Sequence, residues 1–486
     1  MKKNITALLL VILTITSICF ISCNLLEFTE IQTGTEVNTT IFHGTSEDSF
    51  IESFENQTDI EISTTLSNET AEQGTDDSST VAPPPATSED HQGFRYTLQD
   101  DGTYCVSGYT YLPENIDYVI PSTHNNVPVT AIGESAFANA TMTSIVISDS
   151  VTHIGANAFD YCLYLRSVDL PEGLTTIENG TFHNCQELSS VSIPSSVTVI
   201  GDWAFARCFN ITTLAIPDGV TRIGKAAFHF CQALSSIHIP ATVTSIGEDA
   251  FDRCIGMTDF TVAKENPVYH SASNCLIETA GKTLMTGFGN CTIPADGSIT
   301  GIGEHAFFNL ETLTEITIPD TVTYIGPLAF SGCEALTSVI LSNSITEICD
   351  RAFSGCTNLT SISIPDSVTK LGSSVFSGSG LTSVTLPESI TTIPSYTFAN
   401  CRGLTSVSIP DHITAIEDRA FSDCINLISI VIPTSVTYIE GDAFHLSYNF
   451  SDIYYLGSED EWKAIEKGPF WSHNTGHIHV HYNCAP

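Results

Sequence analysis

The sequence predicts a repeat solenoid: a β-rich stack of about 14 coils of 22–23 residues, with parallel strands and short 3₁₀ or helical turns. Two observations carry this. Phenylalanines recur in one phase at Phe137, Phe159, Phe182, Phe205, Phe228, Phe251, Phe307, Phe330, Phe353, Phe376, Phe398, Phe421 and Phe444, and neighbours lie 22 or 23 residues apart except across Phe251–Phe307. Around each of them the pattern V-T-x-I-G-x-x-A-F-x-x-C-x-x-L-x-S-I-x-I-P-x-S returns. No single unit of this kind can bury its own apolar face, so the units must stack into one continuous core.

One coil, Arg351 to Gly372, shows how the elements are expected to form. Leu359, Ile362 and Ile364 alternate with Ser361 and Ser363, which is the period of a strand with one buried and one solvated face. Pro365 ends that strand, because proline cannot donate to a ladder. Ser367 to Leu371 reads as a second short extended element, Gly372 as a turn, and Ala352 to Cys356 as a tight helical or 3₁₀ turn. Strands about 4.8 Å apart give a stack roughly 65 Å long. The gap of 56 residues between Phe251 and Phe307 equals two repeats plus ten residues. It holds an insertion at about 263–300, in which Asn274 to Phe288 alternates around Ala280-Gly281 as a small hairpin does.

These motifs resemble the BspA-like (Treponema-type) leucine-rich repeat family, over residues 127–450. The flanks resemble it as well. Tyr96 to Thr110 is similar to the segment that opens the family's solenoid, making 93–126 an N-terminal cap. Residues 451–486 are similar to its terminal module, with Tyr454, Tyr455 and Trp462 covering the last open coil. The resemblance implies a cell-surface or secreted protein associated with adhesion and with host or community binding.

The chain begins differently. Lys2 and Lys3 precede an apolar run from Ile5 to Ile21, the layout of an export signal over residues 1–22. Ser22-Cys23 resembles a bacterial lipobox, with Cys23 as the lipidated residue; Phe20 stands where that pattern prefers an aliphatic residue. An ordinary signal peptide or an uncleaved anchor are the alternatives. Residues 23–92 are rich in Thr, Ser, Glu and Pro without periodicity, so they read as a disordered tether. Its root-mean-square span is roughly 40–50 Å. The expected location is the extracellular face of a membrane, with contact to lipid only through the anchor.

The chain has 486 residues and a formal net charge of −39. Such a surface repels phosphate backbones, which excludes nucleic acid as a partner.

Several patterns could carry chemistry. Nine coils place a cysteine three residues after the phenylalanine: Cys162, Cys185, Cys208, Cys231, Cys254, Cys333, Cys356, Cys401 and Cys424. Ala140, Leu310, Ser379 and Ser447 fill the same slot elsewhere. Alanine and leucine neither ligate metal nor form bridges, so the slot reads as core, with disulfide pairing and metal binding as the weaker readings. Cys275 and Cys291 flank the hairpin and are placed to bridge it. His477, His479 and His481 fall on one face of a strand, a weak candidate for zinc or copper. No nucleophile elbow, HExxH or phosphate loop is present. No cofactor is expected, and the chain is read as a non-enzyme.

The outward strand positions remain as the candidate binding face: Ser167, Asp169, Ser190, Ser192, Ser236, His238, Glu315, Thr317, Ser338, Ser361, Ser363, Ser383, Thr385, Ser406 and Ser408. This hydroxyl ladder has no aromatic platform for sugars, which favours a protein partner over a glycan. The expected function is an adhesin-like surface binding protein with a host or community protein as partner. The alternatives are a structural or sensory envelope protein with a self partner, and a polysaccharide-binding accessory protein.

Overall fold

The structure, a computed structural model, describes residues 86–111 and 117–484. The signal segment, Cys23 and the tether up to residue 85 lie outside the described residues. Among the described residues no helix is long and apolar enough to cross a membrane.

The strand alternation produces the expected stack. Strands such as Ser144–Ile147, Ser167–Asp169 and Ser190–Val191 pair in parallel with their serines in register. A second parallel ladder runs through the short elements Thr176–Ile177, Val199–Ile200, Arg222–Ile223 and Ser245–Ile246. Most coils therefore present a longer strand and a shorter one and bury the inward side chains of both, whereas residues 359–364 form only an isolated bridge from Ser363 to Thr385. Burying each such side chain contributes about 1.5–3 kcal/mol.

The third side of each coil differs from the sequence expectation. Ala352 to Cys356 is no 3₁₀ turn, because residues two before and two after the phenylalanine are left-handed. Arg351 has φ 57° and Gly355 φ 72°, and the pattern repeats, as at Asn157 and Tyr161. Left-handed residues on either side of the phenylalanine, four positions apart, turn every second N–H sideways, toward the next coil. Phe137 N–H donates to Ala158 O at 2.8 Å and Asn139 N–H to Asp160 O at 2.7 Å. The intervening N–H groups close local turns, as from Ala138 to Ser135 O at 3.1 Å. We call this third side the rung. Its phenylalanine rings stack from coil to coil, with centroids 5.4 Å apart for Phe137–Phe159 and 5.1 Å for Phe330–Phe353.

Gly372 also has a different role from the expected turn. A Cβ there would lie 2.4 Å from the backbone N of Asp350, so the glycine admits the neighbouring coil rather than bending the chain. The same holds at Gly224, whose Cβ would meet the carbonyl carbon of Gly201 at 2.4 Å.

The stack comprises about 16 turns rather than 14. Turns at both ends, built on Asp117–Ile120 with Val127–Ile132 and on Glu466–Lys467 with His479–Tyr482, join the ladders without a marker phenylalanine. An antiparallel sheet of Thr87–Glu89, Phe94–Leu98 and Tyr104–Tyr109 precedes them. Ordered structure thus begins inside the segment read as tether; Thr87–Glu89 is a polar edge strand with no buried face to show in the sequence. At the far end a capped helix, Glu459–Ala464, brings Trp462 against Tyr455 at 5.3 Å. Tyr454 points outward instead and stacks on His481 at 4.7 Å.

Two glycine substitutions separate these roles. Gly224→Ala should destabilise the fold by about 1–3 kcal/mol through overpacking. Gly355→Asn should be nearly neutral, since Asn400 occupies the equivalent left-handed position with φ 61°. Denaturant midpoints of the two variants check this; equal losses would contradict it.

Candidate binding surfaces and the interrupted rung

The fifteen outward strand residues all lie on the solvated side of the long-strand ladder, with Ser167 and Ser236 half-buried. His238 Nδ1 lies 2.9 Å from Thr261 Oγ1 on the next strand. The face is flat and polar, interrupted by apolar residues such as Ile340, which is 58% exposed. Asp169 and His238 are not brought together.

His479 and His481 lie on the final strand of this face. His481 Nε2 sits 2.8 Å from Asp452 Oδ1 on the neighbouring strand, and His477 meets His479 ring to ring at 4.9 Å. The three imidazoles do not converge: among the described residues, the His, Cys, Asp and Glu group close enough to share an ion is Glu248, Asp249 and His305 instead.

The cysteine slot is core, and it has a second task. All nine thiols are buried, and each Sγ lies 3.0–3.2 Å from the carbonyl oxygen of the phenylalanine one coil earlier, as in Cys162 to Phe137 and Cys333 to Phe307. That oxygen already accepts the N–H of its own coil's slot residue, so the thiol takes its second lone pair. Ser447 makes the same contact by hydroxyl, 2.9 Å from Phe421 O. Ala140 has no earlier phenylalanine coil to serve, and Leu310 follows the insertion, where the regular rung is lost. Burial pushes eight of these thiols up, from Cys185 to Cys424, with Cys231 and Cys333 at about 12 and Cys401 at about 11. They are neutral and unreactive at physiological pH.

The insertion forms three antiparallel strands, Tyr269–Ala272, Cys275–Glu278 and Thr283–Gly287, rather than a hairpin alone. Cys275 and Cys291 are joined by a disulfide that closes 16 residues of separation. The last strand hands on to the short-strand ladder through Leu284 and Ile302. Phe288 and Cys291 keep the F-x-x-C phase, which the doubled gap concealed, but this rung is displaced. Its Gly287 N–H, one residue before the phenylalanine, donates to Ala306 O at 2.8 Å. Phe251 stacks no further on a rung ring; it meets Phe260 edge-on at 5.4 Å, and Phe260 meets Phe288 at 5.1 Å. The buried core divides into two clusters that meet here. Between Phe251 and Phe307 lies a cavity of about 330 Å³. Asp249 and His305 span its edge at 2.9 Å, and that carboxylate holds His305 above the usual imidazole range against an opposing burial effect. By linkage the stabilisation from this pair is present at low pH and lost as pH rises through the raised value.

The turn side carries a feature that strand-based reading missed. Tyr161, His183, Trp203, His229 and Phe230 run across consecutive rungs in mostly edge-to-face contact, at 5.5, 6.3, 5.6 and 4.6 Å. Arg207 and Arg253 lie over the Phe230 ring at 5.4 and 4.5 Å. Asp160 orients His183 at 2.8 Å. Tyr161 and Trp203 are 41% and 42% exposed and occupy left-handed positions, at φ 55° and 59°. Bulky residues are disfavoured there, by about 1 kcal/mol or more. The signal available in sequence was the aromatic content at two residues before and after the marker phenylalanine.

Thiol chemistry tests the slot. A maleimide should label Cys484 rapidly in the folded chain, while the nine slot cysteines react only after unfolding without reductant; slot cysteines that stay blocked once unfolded would show bridging. The raised values also set a pH dependence. Above about pH 9 the unfolded thiols ionise while the folded ones stay protonated, so the unfolded state binds fewer protons and stability falls. Each such thiol contributes up to about 1.4 kcal/mol per pH unit. Tm should therefore drop between pH 9 and 11 less steeply in Cys231→Ala/Cys333→Ala than in the parent chain.

Comparison with known proteins agrees with this architecture. No curated protein matches the chain. A leucine-rich cell surface protein from Faecalibacterium prausnitzii is 29% identical, covering 79% of this chain and 99% of its own, with a TM-score of 0.50. A leucine-rich repeat protein from Eubacterium ventriosum shares the fold at 22% identity, covering 81% and 94%, with a TM-score of 0.52. The pneumococcal vaccine antigen PcpA does so at 18% identity, covering 81% and 98%, with a TM-score of 0.52. The family model of the BspA-type leucine-rich repeat region matches residues 130–264, 285–405 and 391–485. With its rungs, its paired ladders and this match over most of its length, the chain belongs to the BspA-type leucine-rich repeat family.

Proposed function

We propose that this is a non-enzymatic cell-surface binding protein, adhesin-like, whose partner is a protein of the host or of the surrounding microbial community. The supporting observation is the ribbon of exposed Tyr161 and Trp203 and half-buried Phe230, flanked by Arg207 and Arg253. Tyr, Trp and Arg are the residues that dominate protein–protein hot spots. Their rings stand edge-to-face, which offers no flat platform for stacking sugars. Left-handed backbone positions fix the ribbon on a rigid rung, so little ordering entropy is lost on docking. The hydroxyl ladder of the strand side is then a solvated face that keeps the stack soluble. Surface location is supported by the cell-surface description of the Faecalibacterium relative and by the export-type N-terminus. Attachment through Cys23 is part of the proposal.

The test is retention of residues 86–486 on purified extracellular-matrix proteins, on glycans and on envelope fractions of the producing cell. Retention on matrix protein is expected, with Tyr161→Ala/Trp203→Ala weakening it by about tenfold or more. Retention on self envelope alone, or on glycan alone, would replace this reading with one of the two others.

A further inference from the structure

The ribbon ends at Arg253, on the rung that borders the cavity, and there the hydrogen-bond pattern of the stack breaks. In the other twelve coils with a marker phenylalanine, the N–H of that residue, and of the residue two further on, donates to the next coil. Phe228 N–H reaches Ala250 O at 2.8 Å and Phe230 N–H reaches Asp252 O at 3.0 Å. The N–H groups of Phe251 and Arg253 have no acceptor among the described residues. On the opposite wall, Glu304 O and Phe308 O occupy the positions that elsewhere accept from the residues two before and two after the phenylalanine, and among the described residues neither receives a bond. Gly287 claims only the carbonyl between them, Ala306 O.

Both walls thus present main-chain groups in the spacing that a passing polypeptide satisfies, with donors on one side and acceptors on the other. A polypeptide folded as a rung offers carbonyls to the donor wall and N–H groups to the acceptor wall, as neighbouring rungs do for each other. Phe251, Phe288 and Phe307 line the space between. At about 330 Å³ it is large enough for a short segment with one apolar side chain. The rim is acidic, with Glu248, Asp249, Asp252 and Glu304 against Arg253 and His305. Lys225 already holds Glu248 at 2.7 Å and His305 holds Asp249, so the excess negative charge lies with Glu304 and Asp252, near which His229 Nδ1 sits at 3.2 Å.

We propose that this cleft binds a short peptide segment of a partner protein, an apolar residue flanked by a basic one, which takes the rung conformation and supplies the missing rung by backbone pairing. This rests on the reading of the chain as a protein-binding protein and gives that reading a second contact site beside the ribbon.

The probe is a synthetic peptide copying the chain's own regular rung, Gly224–Gln232 with Cys231→Ser, added to the full chain and followed by amide hydrogen exchange. In the free chain, the Phe251 and Arg253 amides should exchange about 100-fold faster than those of Phe228 and Phe230, because they lack acceptors. The peptide should slow both by about tenfold or more, and Glu304→Lys should weaken its binding by about tenfold at low salt. Amides of Phe251 and Arg253 as protected as those of Phe228 and Phe230 in the free chain would overturn the proposal. So would an exchange rate unchanged by saturating peptide, or peptide binding that Glu304→Lys leaves untouched. Failure here with matrix retention intact removes the cleft alone. Protection by peptide with no matrix retention removes the adhesin reading and keeps the cleft.

Discussion

The interaction on which this protein depends is the sideways hydrogen bond of the rung. A stack of coils needs every N–H and C=O of its interior backbone satisfied, and strands supply only two of the three sides. On the third side the chain must turn within a few residues and still bond to its neighbours. Left-handed residues on either side of the phenylalanine solve this by sending alternate N–H groups inward to a local turn and outward to the next coil. The phenylalanine carbonyl is then left with one free lone pair inside an apolar core. A thiol at the third following position of the next coil fills it at little steric cost, which accounts for the cysteine ladder without metal or disulfide.

From that constraint the register of everything else follows. Because rungs bond one to one, the phenylalanine rings must stack near 5 Å, and where a glycine precedes the rung it can lie against the backbone of its neighbour, as Gly224 and Gly372 do. A residue placed two positions from the phenylalanine sits on a left-handed corner of the rung, exposed at Tyr161 and Trp203 and buried at Asn184 and Ala226. That is why Tyr161, Trp203 and Phe230 line up, although nothing in the core asks for aromatic side chains there.

The stack and its two strand ladders were legible in the sequence because their signals are periodic: alternation in Leu359–Ile364 and a fixed phase of phenylalanine. The rung conformation was not. Its left-handed positions are filled by Asn, Arg, Trp, Leu and Tyr as often as by Gly, so no turn signature marks them. The Ala140 and Leu310 exceptions pointed correctly to a core slot, but their cause lay in which coil precedes them, a fact of neighbourhood rather than of residue type. The aromatic ribbon escaped for the same reason: its members are 20 to 26 residues apart or adjacent, and only stacking makes them one surface.

The insertion shows what happens when the constraint is relaxed at one place. The short-strand ladder ends at Ser245–Ile246, and three antiparallel strands start a new one that the following coils join through Leu284 and Ile302. Cys291, in the slot that would serve the Phe251 carbonyl, is diverted to Cys275, and Leu310 cannot serve the displaced rung before it. Main-chain donors, main-chain acceptors and the thiol ladder therefore fail together at the same coil. A random defect would leave some of these intact. Their joint loss, beside an otherwise regular array and at the end of the aromatic ribbon, is the reason to read the break as a built cleft and the repeats around it as its scaffold.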